Sequence, residues 1–286
     1  MAKQKDFNEF LSDIEPSKTT VSYISSVQTN LRDYLETHTK YKDIHVATFL
    51  SGSYAKHTSI RPVLYDGKRD VDIVVETKYS SDDSREVLSE LFDVLREKNT
   101  YAEARLQSHS VGIEMSGIEI DIVPVIRDDS EEKYCIGSSE EDLWKLTDPK
   151  GHISWSSAIN ADNNGRYKPL VKMIKWWRRT HCPDGTKFPK GITLEKIIAD
   201  NLADGDLNTE NHLVATMRNI VTAYKETYSD KGQKPVIEDP SIEGNDLLAS
   251  YEIGDFKAFI DKLAEHVQLI DDCGTTNEVW KRILGD

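Results

Sequence analysis

Two acidic residues with one residue between them, Asp70 and Asp72, stand in the β-branched segment DVDIVV at 70–75. Side chains alternate along a strand, so both carboxylates would lie on one face and Val71 on the other. Carboxylates about 7 Å apart on one strand face repel each other, and a divalent cation bound between them removes this cost. Because such pairs also occur at ordinary strand ends, a metal site and a simple strand end both remain open.

A third aspartate extends this pattern. The segment EIDIVP at 119–124 predicts a second strand, on which Glu119 and Asp121 share the face opposite the isoleucines. If both strands belong to one sheet, Asp121 joins Asp70 and Asp72. Three hard oxygen ligands favour Mg²⁺ or Mn²⁺ over zinc, and such a triad is typical of in-line phosphoryl or nucleotidyl transfer. We therefore expect the three aspartates to be catalytic and to bind two Mg²⁺ ions, for which Mn²⁺ could substitute.

The segment LSGSY at 50–54 precedes the aspartates. Gly52 allows the backbone to approach a ligand closely, and Ser53 is predicted to cap a following short helix and to present its N–H groups to a phosphate. A Gly-Ser pair alone is common in ordinary turns. The order strand, Gly-Ser, short helix, loop, Asp-x-Asp strand and later aspartate strand is far more specific.

In this order, the motifs resemble those of the DNA polymerase beta-like nucleotidyltransferases. The pattern of that superfamily, hG[GS] followed by [DE]h[DE]h and h[DE]h, is matched at 50–53, 70–73 and 120–122. The longer segments at 52–61 and 119–124 look like those of the bacterial CD-NTases, which are relatives of cyclic GMP–AMP synthase and oligoadenylate synthase.

The similarity to the CD-NTases covers most of the chain, from Leu50 to the segment 279–285. It implies a Mg²⁺-dependent enzyme that joins nucleoside triphosphates, ATP among them, into a cyclic di- or trinucleotide messenger of anti-phage defence. The messenger would act on a separate downstream effector. The interval before Asp70 is longer than in the family pattern, with the extra length at 63–69, and these motifs do not determine the bases or the ring size.

The resemblance also implies an α/β (α+β) fold of two lobes. A nucleotidyltransferase lobe with a mixed sheet and a long N-terminal helix is expected over 1–148, and a helical lobe over 149–286. Hydrophobic periodicity agrees with this division. It predicts strands at 44–50, 71–75, 111–115 and 118–126, and helices at 6–14, 19–38, 82–98, 168–180, 192–203, 210–228, 255–270 and 276–284.

A basic segment lies in the second lobe, where residues 166–190 contain eight lysines and arginines and one acidic residue. Lys168, Lys172, Lys175 and Arg179 would form one cationic stripe of a helix. Such a stripe is either a solvated face or a clamp for a triphosphate. The segment LVKMIKWW at 170–177 looks like the CD-NTase helix that supplies a lysine to the triphosphate, which makes Lys172 the first candidate and Lys168 the second, whereas Lys175 is a candidate for structural contacts.

Composition excludes several functions. The 286 residues carry 36 basic and 50 acidic side chains, a formal charge of −14, which disfavours duplex nucleic acid as a partner. No apolar run approaches the ~18 residues of a membrane span, and the first residues lack the apolar region of a signal peptide. The three cysteines have no zinc-ligand spacing. We expect a cytoplasmic protein that acts as a monomer and binds no membrane.

Two other functions remain open at this point. The chain could transfer a nucleotide to a tRNA, a protein or a small molecule, although its acidic charge argues against tRNA. It could also be a catalytically silent regulator that binds nucleotides on a transferase scaffold, although the intact aspartate triad argues against that.

Overall fold

The computed structural model of the protein describes residues 4–62, 69–79, 83–128, 130 and 132–285. The lengthened interval at 63–69 therefore falls outside the described residues, apart from Arg69. The chain divides into two compact units. The helical unit comprises Met1–Glu15, Thr58–Val63 and Ser154–Asp286, and the sheet unit comprises Pro16–His57 and Leu64–Ile153.

The predicted helices and strands are present, with ends that differ by a few residues, and α5, β3, β6 and β7 are additional. The helices are α1 (Gln4–Ile14), α2 (Lys18–Thr37), α3 (Gly52–Ala55), α4 (Ser84–Arg96), α5 (Pro149–Asp162), α6 (Tyr167–His181), α7 (Gly191–Asp200), α8 (Thr209–Tyr224), α9 (Ile253–Cys273) and α10 (Asn277–Leu284). The strands are β1 (His45–Leu50), β2 (Arg69–Thr77), β3 (Arg105–Leu106), β4 (Val111–Met115), β5 (Ile118–Asp128), β6 (Lys133–Ile136) and β7 (Lys145–Thr147).

The sheet unit is built on one sheet in the order β1-β2-β5-β4-β3, with β6 paired to β5 and β7 paired to β6. β2 and β5 are parallel, and the other pairs are antiparallel. Parallel neighbours need a crossover connection, and α4 lies in the chain between them. The mixed sheet confirms the predicted fold class.

One face of this sheet is apolar and buried. Val71, Ile73 and Val75 of β2 are 0% exposed, and they share a core with Leu31 of α2 and Leu91 of α4. Full burial of one such side chain contributes about 1.5–3 kcal/mol. Because side chains alternate, this burial leaves the opposite face of β2 for the aspartates.

The helical unit has its own core, which includes residues from α1 and from α6 to α10. Trp177 of α6 stacks on Phe188, with ring centroids 6.2 Å apart, and meets Phe259 of α9 edge-on at 5.8 Å. Phe7 of α1 meets Trp280 of α10 edge-on at 5.2 Å. These contacts explain why α1 belongs to the helical unit although it precedes α2 in the chain.

The division into units differs from the boundary expected between residues 148 and 149. Besides α1, the segment Thr58–Val63 belongs to the helical unit, where Ile60 packs with Ile14 and Trp176. The later boundary falls after Ile153, inside α5. Early segments join the later core because their apolar side chains find partners there, which hydrophobic periodicity does not reveal.

The sequence does not predict α5, because its segment PKGHISWSSAINAD has few apolar residues and no helical stripe. A start signal exists, since Pro149 occupies the first helical position, where proline is favoured. The Asp148 Oδ1 atom accepts a hydrogen bond from the Gly151 N–H at 2.7 Å. β6 and β7 are too short to show alternation. Across the described ranges, no helix has the length and apolar character needed to cross a membrane.

Candidate active site

The two aspartate-bearing strands are neighbours in the sheet. The parallel register of β2 and β5 places Asp72 directly beside Asp121, and Asp70 beside Glu119. Neighbouring strands lie about 4.8 Å apart, whereas Asp70 and Asp72 are about 7 Å apart along one strand. All four side chains therefore share the polar face of the sheet, as their alternation predicts.

The Ser51–Gly52 turn, where α3 begins, lies against the Asp72 carboxylate. The Ser51 N–H donates to the backbone oxygen of Asp72 at 2.8 Å, and Gly52 has a φ of +56°. A Cβ atom on Gly52 would lie 1.8 Å from Asp72 Oδ2. Only glycine meets both conditions, so this turn brings its backbone closer to the carboxylate than any other residue would allow.

Ser53 is not the cap of the following helix, and that prediction is wrong. Ser51 occupies the N-cap position of α3, and its carbonyl accepts a hydrogen bond from the Ala55 N–H at 3.3 Å. The helix begins at Gly52, two residues before the start that a cap at Ser53 predicts, because Ser51 is the last extended residue before it. Ser53 lies in the first helical turn, and its contact with a phosphate stays a prediction.

The Asp121 carboxylate is partly buried, and its surroundings shift its pKa in opposing directions. Burial, and then the negative charge of Asp70, raises the pKa of Asp121 above its usual value, while a hydrogen bond with Gln107 acts in the opposite direction. The charged form of Asp121 is thus disfavoured by its surroundings. A bound divalent cation would reverse this effect.

The donor set of this face fits a magnesium ion held together with a nucleotide. Among the residues that the structure describes, no three His, Cys, Asp or Glu side chains are grouped closely enough to hold a metal ion by themselves. Mg²⁺ usually keeps several waters and binds through one or two carboxylates plus substrate phosphates. The adjacent carboxylates Asp72 and Asp121 supply that number of hard oxygen donors.

The basic helix α6 lies in the helical unit, where its first two candidate lysines already have partners. Lys172 Nζ lies 2.6 Å from Glu15 Oε1, and Lys168 Nζ reaches Ser157 Oγ at 3.5 Å. Burial lowers the pKa of Lys168, the charge of Lys172 lowers it further, and Glu195 opposes both. Lys168 and Lys172 lie one turn apart, so the predicted stripe exists, while its contact with a triphosphate stays a prediction.

Lys175 makes structural contacts with a buried glutamate. Its Nζ lies 2.6 Å from Glu195 Oε1 and 3.0 Å from Thr58 Oγ1, and the Glu195 side chain is 0% exposed. The Thr58 hydroxyl donates to the same carboxylate oxygen at 2.9 Å. Glu195 is not predicted from the sequence, where its one signal is an acidic residue within the apolar segment ITLEKII at 192–198.

A mixed sheet that carries three aspartates on its polar face, with a Gly-Ser turn against one of them, defines a polymerase beta-like nucleotidyltransferase. The sequence profile of the Second Messenger Oligonucleotide or Dinucleotide Synthetase domain matches residues 1–160. The chain therefore belongs to this family of synthetases and is a CD-NTase. The predicted family, fold class and enzyme class are confirmed.

Similarity to individual relatives extends along the whole chain. The chain is 33% identical over 295 residues to the cyclic AMP-AMP-AMP synthase of an Acinetobacter species, and the match covers 100% of this chain and 85% of the relative. It is 27% identical over 354 residues to the cyclic AMP-AMP-GMP synthase of Enterobacter hormaechei, covering 100% and 91%. Among solved structures, the Bradyrhizobium diazoefficiens CD-NTase CdnG in complex with GTP has the same fold, with a TM-score of 0.83 at 15% identity over 98% of this chain and 94% of that one.

Proposed function

We propose that this enzyme joins three molecules of ATP into a cyclic trinucleotide of AMP units and releases pyrophosphate at each step. The observation that carries the transfer chemistry is the placement of Asp70, Asp72 and Asp121 on one sheet face, with Gly52 against Asp72. The choice of AMP units is supported by the 33% identical relative, a cyclic AMP-AMP-AMP synthase. A mixed cyclic AMP-AMP-GMP product is the second candidate, because a 27% identical relative is named for it.

The product acts, in this proposal, as a second messenger of anti-phage defence that binds a separate effector, and the enzyme acts as a monomer. Messenger synthesis is the activity named in the family description. The defence role is proposed from the CD-NTase group as a whole.

Each transfer step would use the aspartates of the sheet unit. Mg²⁺, when bound, lowers the pKa of the acceptor ribose hydroxyl and neutralises phosphate charge. Asp72 and Asp121 hold and orient the reacting groups from adjacent strands, and the Gly52 turn admits the donor phosphates close to the backbone. The hydroxyl oxygen attacks the α-phosphorus, the bond to pyrophosphate breaks, and the hydroxyl proton is lost to solvent. Lys172, with Lys168, is the proposed ligand of the donor triphosphate.

Purified protein incubated with labelled ATP and Mg²⁺ should form a product that resists phosphatase, because a cyclic product has no terminal phosphate. Chromatography and mass spectrometry should assign three AMP units to it. Parallel reactions with ATP and GTP together test the second candidate, and incorporation of label from GTP would support it. A product that phosphatase degrades completely, or transfer only to an added tRNA or protein, would contradict the proposal.

Duplex DNA should leave the rate of this reaction unchanged. The chain carries a net charge of −14, and the cations of α6 include Lys172 and Lys175, which are paired with Glu15 and Glu195. The comparison is best made at low salt, where electrostatic binding to DNA is strongest. A large rise in rate with DNA that disappears at higher salt would show that a nucleic-acid surface exists.

Replacing Lys172 by alanine should raise the apparent KM for ATP, because a phosphate ligand is lost. A second substitution should have the opposite effect on KM. Glu15→Gln removes the carboxylate 2.6 Å from Lys172 Nζ, which leaves that ammonium more available and should lower KM. Steady-state kinetics of both variants test the assignment. If Lys172 serves only the ion pair with Glu15, both substitutions will leave KM unchanged.

A further inference from the structure

Two polar side chains of the turn between β3 and β4, Gln107 and Ser110, lie close to Asp121. The turn is closed by a hydrogen bond from the Gln107 N–H to the Ser110 carbonyl at 2.9 Å. The Ser110 hydroxyl donates to Gln107 Oε1. The Nε2 group of Gln107, the only donor of its side chain, hydrogen-bonds to the Asp121 carboxylate, and the Ser110 hydroxyl also lies within hydrogen-bond reach of that carboxylate.

The backbone next to Asp121 is shaped to admit this amide. Gly112 of β4 lies directly opposite Asp121 in the register. A Cβ atom on Gly112 would lie 2.5 Å from Gln107 Nε2 and 3.6 Å from Asp121 Oδ1. Gly112 has no positive φ, so its backbone conformation does not require glycine. The missing side chain instead provides the space that the amide occupies.

A carboxylate such as Asp121 must be correctly oriented to bind a cation. Its neighbours on the sheet face include Asp72 in register and Asp70 two residues earlier on β2, and the charges of Asp70 and Glu119 repel it. An amide donor from the turn between β3 and β4 restricts the rotation of this carboxylate. Groups that orient metal-binding side chains in this manner typically change metal affinity or activity 10- to 100-fold when mutated.

We propose that Gln107, held by Ser110, is a positioning residue that orients the Asp121 carboxylate for the divalent cation and the acceptor hydroxyl. This inference rests on the proposed function, since it assigns Asp121 to cation binding. Gln107 touches neither the substrate nor the cation in this assignment, and it acts through Asp121.

The test compares three variants of the full chain, and Asp121→Asn as a fourth, with the wild type. Gln107→Leu keeps the approximate size but removes the donor, Gly112→Ala fills the space of the amide, and Ser108→Ala alters the same turn away from Asp121. Ser108 is a matched control because its hydroxyl donates to Glu140 at 2.6 Å. Mn²⁺ binding is measured directly by electron paramagnetic resonance, kcat and KM by product formation, and folding by thermal unfolding.

Gln107→Leu and Gly112→Ala should each weaken Mn²⁺ binding about tenfold and lower kcat about 10- to 100-fold, with little change in KM for ATP. Ser108→Ala should match the wild type in all three measurements. If Gln107→Leu binds Mn²⁺ and turns over as the wild type does, the positioning role is overturned while the proposed function stands. If Asp121→Asn binds Mn²⁺ as well as the wild type does, the proposed cation site fails and this inference fails with it.

Discussion

Asp121→Asn should reduce product formation to less than about a tenth of the wild-type rate, because it removes the charge of a carboxylate that the reaction needs. The double variant Asp70→Asn, Asp72→Asn should behave in the same way. These residues occupy adjacent strands in register, so each contributes a different oxygen donor to one face. Conversion of labelled ATP at saturating Mg²⁺ measures the effect, and turnover well above that level would contradict the assignment of the triad.

Thermal unfolding of Asp121→Asn separates a catalytic loss from a folding defect. The folded state raises the pKa of Asp121 through burial and the charge of Asp70. Folding therefore favours the protonated carboxyl, so the charged form lowers stability at neutral pH and this penalty fades as the pH falls. Without metal at neutral pH, Asp121→Asn should unfold at a temperature no lower than the wild type, and added Mn²⁺ should stabilise the wild type more. An inactive variant that is also unstable without metal would indicate a structural role.

Lys175→Ala should lower the free energy of unfolding by about 3–5 kcal/mol, because it leaves the buried Glu195 carboxylate without its counter-charge. Glu195 is 0% exposed and Lys175 is 12% exposed, so water compensates little for the loss. Urea unfolding followed by tryptophan fluorescence measures the effect, since Trp155, Trp176, Trp177 and Trp280 lie in the helical unit.

Two comparisons decide whether the pair of Lys175 and Glu195 is responsible for the loss of stability in Lys175→Ala. The double variant Lys175→Met, Glu195→Leu removes both charges and should be less destabilised than Lys175→Ala. Lys196→Ala breaks a more exposed pair with Asp200 on the same helix, and it should cost no more than about 1 kcal/mol. A small loss for Lys175→Ala, similar to that of Lys196→Ala, would mean that the buried pair contributes little.

The alternation of apolar and polar residues within each strand is sufficient to predict which side chains share a face with the aspartates. Alternation at 70–75 and 119–124 determines which side chains share a face, because a strand has only two faces and one must be apolar. The parallel register that sets Asp72 beside Asp121 follows from pairing of the two strands, which the pattern of either strand alone does not determine. From the sequence, the membership of both strands in one sheet is only the condition on which the predicted triad depends.

The partners of the charged residues could not be predicted in this way. Glu15 and Lys172 are 157 residues apart in the chain, and Thr58 and Glu195 are 137 residues apart. Their pairing depends on α1 and the segment after α3 joining the helical core, which is a property of tertiary packing. Gln107 carries no sequence signal of its own, and only the turn geometry and the empty space at Gly112 reveal its contact with Asp121.

The two glycines beside Asp72 and Asp121 offer a route by which a related chain would lose activity while keeping all three aspartates. Gly52 leaves room for the Asp72 carboxylate, and Gly112 leaves room for the amide beside Asp121. A single methyl group at either position would displace a carboxylate or its amide partner, although every aspartate is retained. A search that recognises inactive homologues only by missing aspartates would therefore overlook such chains. The residue at each of these two glycine positions is an additional criterion for an inactive homologue.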